Sequence, residues 1–87
     1  MKNKAILGAL AMDLKRAALG FHKGSDVMAN RFFEEAFRRK DEIDVTDVAP
    51  YISKWLVSLN KIKSEEKQKA AEDALLYSTI FQNASQA

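Results

Sequence analysis

Leu7, Leu10, Leu14, Ala17 and Phe21 recur at intervals of 3, 4, 3 and 4. Residues three or four apart share one face of a helix, so these five form a single apolar stripe, which Ile6 widens. Lys4, Lys15 and His22 fall beside it. The same spacing test returns a helix three more times along the chain and finds strand alternation nowhere. The sequence therefore predicts an all-α fold.

The four helices have recognisable ends. The first is expected over residues 4–20, with Gly20 or Gly24 supplying the left-handed residue that stops it. Ser25 is placed to cap the second, over 25–40, and Asp26 adds favourable charge in its first turn. Its apolar residues Met28, Ala29, Phe32, Phe33, Ala36 and Phe37 cover about half the circumference, a width that suits two packing neighbours. Pro50 is tolerated only in a first turn, which sets the third helix at 48–61, with Ile52, Trp55, Leu56 and Leu59 on one arc. Ser64 with Glu65 and Glu66 then reads as the start of the fourth, over 64–83, where Ala70, Ala74, Tyr77, Phe81 and Ala84 align. The expected architecture is a compact four-helix bundle-like array of short antiparallel helices, one helical domain over residues 1–87.

A chain of 87 residues is near the lower limit for folding alone, because roughly 60% of its unfolded surface can be buried. A partner subunit would add to that burial. With no cysteine and one histidine, the chain offers neither a disulfide nor a multi-histidine metal site, and no cofactor is expected. The net charge of +2 conceals an asymmetry, since residues 1–24 carry +4 and residues 25–87 carry −2. The opening "MKNKAILGALAM" has the basic start, apolar run and small-residue triplet Ala9-Leu10-Ala11 of a leader. Its amphipathic pattern continues unbroken through "DLKRAALGF", which favours a folded helix and a cytoplasmic protein. No apolar stretch approaches the ~20 residues of a transmembrane span.

Several clusters suggest chemistry. Arg38, Arg39 and Lys40 form the chain's one three-residue run of bases, and clustered bases neutralise phosphates. Together with His22 and Lys23 in the "FHKGSD" bend they are the candidate partner-binding residues. Acids temper that reading, because Glu34 and Arg38, Glu35 and Arg39, and Arg31 and Glu35 are i,i+4 pairs. A helix-turn-helix reading fails on the second helix, which would have to show polar side chains where it has Met28, Phe32 and Phe33. Asp26 repels an anion from the bend. Asp41, Glu42, Asp44 and Asp47 lack the alternation and glycine of a calcium loop and are expected to cap the third helix.

Asp73 sits at the edge of the apolar face of the fourth helix, one turn from Tyr77, and is expected to pair with a base on another helix. No second polar group converges on it from the sequence pattern, so no enzyme activity is expected. The fourth helix is also apolar on more sides than one core needs. Ala71 and Leu75 lie opposite Ala74 and Phe81, Leu76 extends the face, and with Val57 of the third helix they form the candidate oligomer interface. The expected function is a non-catalytic interaction or adaptor module that self-associates as a dimer and binds a protein partner. The alternative is a nucleic-acid-binding protein that uses Arg38, Arg39 and Lys40.

Overall fold

The computed structural model describes residues 2–87, of which Lys2 is described by its backbone alone; Met1, the first residue of the expected domain, lies outside them. Four α-helices account for most of the described residues: α1 (Lys2–His22), α2 (Asp26–Asp41), α3 (Pro50–Ser58) and α4 (Lys67–Gln86). Two 3-10 segments, Val45–Asp47 and Leu59–Ser64, complete the connections, and no strand occurs among the described residues. The fold is an all-α bundle-like array.

Gly20 does not end α1. The helix runs through it to His22, and Gly24, at φ +75°, is the left-handed residue that turns the chain. Gly20 serves packing instead. A Cβ there would come within 2.7 Å of the Ala29 backbone nitrogen, so the missing side chain lets α1 and α2 touch. Ser25 then caps α2, its hydroxyl accepting from the Met28 N–H at 3.2 Å.

Asn3 at the start of α1 holds the next connection by a reciprocal pair. Its amide donates to the Asp44 carbonyl at 3.0 Å and its oxygen accepts from the Asp44 N–H at 3.2 Å. The Asp44 carboxylate in turn accepts from the N–H and hydroxyl of Thr46, bonds that hold it below the usual carboxylate range. This acid therefore caps the 3-10 turn, not α3 as the sequence suggested. Pro50 opens α3 as its first residue, where its absent N–H costs nothing.

The third helical run is α-helical only to Ser58, and tightens to 3-10 geometry through Ser64. The cap of α4 is consequently Glu66, whose carboxylate accepts from the Lys69 N–H at 2.7 Å, and not Ser64. Ser64 instead bonds back to the Lys61 carbonyl.

Helix α1 is central, with α2 on one flank and α4 on the other, both antiparallel to it. Leu7, Leu10, Leu14, Leu56, Leu59, Tyr77 and Phe81 fill the space they enclose with α3. Trp55 meets Tyr77 edge-on at 5.1 Å, and Tyr77 meets Phe81 likewise at 6.2 Å. The flank towards α4 is made of small residues. Ala11 and Ala18 are buried on α1, and Ala71, Ser78 and Ser85 recur every seventh residue on α4. Small side chains in that register let two helix axes run at the close end of the usual separation.

Candidate interaction surfaces

The basic cluster at the end of α2 is paired throughout. The Arg39 Nε donates to Asp13 of α1 at 2.7 Å, Arg38 pairs with Glu35 one turn back, and the Lys40 ammonium lies 3.8 Å from Asp41. Asp13 is 4% exposed, so this bond satisfies a buried carboxylate as well as joining two helices. The bond and the attraction of Asp13 raise the Arg39 pKa further. A phosphate approaching this cluster would have to displace carboxylates already in place. His22 and Lys23 are exposed at the other end of the α1–α2 pair, and the fold does not bring them to Arg38, Arg39 and Lys40.

Asp73 finds its base on its own helix. The Lys69 ammonium contacts both carboxylate oxygens, at 3.0 and 3.2 Å, where the sequence suggested a partner on another helix. The structure also brings in a second acid that the spacing did not reveal, Glu65 from the end of the 3-10 segment. Burial, then its hydrogen bond with Asp73, pushes the Glu65 carboxyl up. For Asp73 burial acts in the same direction, but bonds from Lys69 and Glu65 outweigh it and hold the group below its ordinary range. Glu65 Oε1 is buried with no hydrogen-bond partner, in keeping with the burial that pushes this carboxyl up. The pair is a structural joint between α4 and the segment before it. Among the described residues, no group of three or more histidine, cysteine or acidic side chains is placed to hold a metal ion.

A concavity of 490 Å³ lies between α2, the 3-10 segment and the start of α4. Phe21, Phe33 and Phe37 line it, with ring centroids 5.7 and 6.4 Å apart in sequence order. Asp26 and Glu34 stand on its rim. Lys67 pairs with Asp26 across one end, and the Lys63 ammonium rests 4.2 Å from the centre of the Phe37 ring. An ammonium on an aromatic face beside carboxylates is a stable arrangement, so the groove already holds a cation of its own chain.

The expected oligomer interface divides. Ala71 is 3% exposed and buried on the flank of α4 turned to α1, across from Phe21 and His22, so it belongs to the core of one chain. It looked surplus because the sequence pattern marks one buried face per helix, whereas α4 packs a second flank of small residues against α1. Leu75, Leu76 and Val57 are exposed, but on different sides. Val57 stands on α3 beside Val45 and Lys40. Leu76 follows Leu75 by about 100° around α4. Leu75 borders the same shallow groove as Met12 and Lys15 of α1. Met12, Leu19 and Leu75, at 43, 41 and 39% exposed, thus place large apolar side chains on the outer face of the α1–α4 pair. In the sequence Met12 and Leu19 are overshadowed by the stronger inner stripe of α1, and their seven-residue spacing is the one signal that they share a face.

Comparison of the chain with protein-family models, with curated proteins and with solved structures finds no match.

Proposed function

We propose that this chain is a non-catalytic helical interaction module that self-associates as a homodimer and binds a further protein. The observation that carries it is the outer face of the α1–α4 pair, where Met12, Leu19 and Leu75 stand exposed together. Apolar side chains gathered on one face of a small domain gain by association, because each removes area from water at roughly 25 cal/mol per Å². The second surface in this reading is the phenylalanine groove. Its apolar floor and carboxylate rim suit a partner segment that offers an apolar side chain next to a base, which would take the place of Lys63 on Phe37.

No helix among the described residues is long and apolar enough to cross a membrane. The cytoplasmic reading draws on Leu7, Leu10 and Leu14, which are buried in the core, so a cleavage at the Ala9-Leu10-Ala11 triplet would discard part of it.

Light scattering across a concentration series tests self-association. A mass twice that of the chain is expected, reduced to the monomer by Leu75→Glu with unchanged circular dichroism. A parent protein that stays monomeric at about 100 µM would defeat the reading. For the groove, affinity purification with a Glu34→Lys bait is expected to lose a protein that the parent retains.

A further inference from the structure

The outer face of α1 is self-complementary, and we infer that the homodimer forms by antiparallel packing of α1 on α1 about a two-fold axis at Met12. The inference rests on the self-association reading above and names its interface. At 100° per residue, Ala5, Gly8, Ala9, Lys15, Arg16 and Leu19 all lie within about 60° of the direction of Met12. None of them is buried in the fold.

Around that centre the face is lopsided in size. The half before Met12 is small, with Ala5, Gly8 and Ala9, and the half after it is long, with Lys15, Arg16 and Leu19. A two-fold axis at Met12 sets Leu19 of one copy over Ala5 of the other, Lys15 beside Gly8 on the α4 side and Arg16, whose guanidinium lies 5.7 Å from the Phe32 ring centre, beside Ala9 on the α2 side, so every long side chain meets a short one. A parallel pairing would instead stack Leu19 on Leu19 and leave Gly8 facing Gly8 across a gap. It would also bring like charges together, whereas the antiparallel pairing holds the two Lys15 residues about 9 Å apart along the axis and the two Arg16 residues about 12 Å apart.

Helix α4 reinforces both properties. A Cβ on Gly8 would lie 3.7 Å from Ser85, which fixes the antiparallel register of α1 and α4. Ten residues back along α4, Leu75 is therefore level with Ala18, one residue from Leu19, and the two leucines form one apolar ridge that the dimer seats on the small half of the other copy. The same register puts the last carbonyls of α4 beside Gly8. Lys15, which makes no ion pair among the described residues, would meet that C-terminal end of the other copy, where a cation is favoured.

The absence of native cysteine makes the test direct. Met12→Cys provides one thiol per chain, placed on the axis, where two Cα atoms approach within the roughly 4.4–6.8 Å a disulfide spans. Mild oxidation is expected to convert it to a reducible dimer at least about tenfold faster than Leu76→Cys, whose thiol lies on the far side of α4. Ala5→Cys mixed with Leu19→Cys is expected to give the disulfide-linked mixed dimer, while neither variant cross-links alone. A dimeric mass with no preferential cross-link at Met12 would leave self-association standing and overturn this interface. A monomeric mass for the parent would overturn both.

Discussion

The two flanks of α1 are built in opposite ways. Towards α2 the contact is made by large rings, one glycine and one half-buried ion pair: Phe21 and Phe33 meet, Gly20 admits the Ala29 backbone, and Arg39 reaches Asp13. Towards α4 it is made by Ala11, Ala18, Ala71 and Ser78, with hardly a side chain to name. The first seam is held by few specific contacts and the second by backbone proximity, in which many weak dispersion contacts accumulate. A large side chain announces its seam in the sequence, whereas a small one is silent. That difference is why Ala71 suggested a surface between copies and proved to be part of the chain's own interior.

The contrast is most severely tested at Ala18, which is fully buried. Ala18→Leu is expected to cost about 3 kcal/mol in chemical denaturation, since a seam set by small residues has no room for three more carbons. A loss under about 1 kcal/mol would show that the α1–α4 seam is looser than a close-packed one. On the other flank, Gly20→Ala is expected to cost about 2 kcal/mol, because the obstacle is the Ala29 backbone and not a movable side-chain tip.

Arg39→Ala should come next, at about 1–2 kcal/mol, smaller than the penalty for breaking a fully buried pair because Arg39 is itself more than a third exposed. Asp13→Asn in the same background is expected to restore part of that loss, which a purely packing role for Arg39 would not allow. The smallest effect lies outside both seams, at Glu65. Its carboxyl titrates above the ordinary range in the folded chain, so its proton stabilises the fold at acidic pH, and that stabilisation is lost as pH rises through the folded value. Glutamine copies the protonated form. Glu65→Gln is expected to raise Tm slightly near neutral pH and to leave it unchanged well below the ordinary glutamate range.

The readable parts of the fold were those in which a residue acts on its own neighbourhood. Ser25 caps α2 and Pro50 opens α3 as their local chemistry requires. Where two local readings competed, tertiary context chose. Gly24, not Gly20, takes the left-handed turn, and Glu66, not Ser64, caps α4 because the preceding chain tightens into a 3-10 segment. Asp13 carries the same signal in the sequence as Asp73, since it lies on the edge of the inner stripe, within about 40° of Ile6 and Ala17. Asn3 gave no signal of any kind, since its partner is the backbone of Asp44, forty-one positions away.

By itself, then, the sequence determined the helices, their order and the apolar stripe around which they close, because periodicity and capping operate within one or two turns. Only the tertiary structure decided which bases are already paired and which small residues are interior. It also decided which apolar side chains stand together on the outside. Those properties depend on which helix flanks which, and a helix's own pattern carries the direction of its faces but not the identity of what they meet.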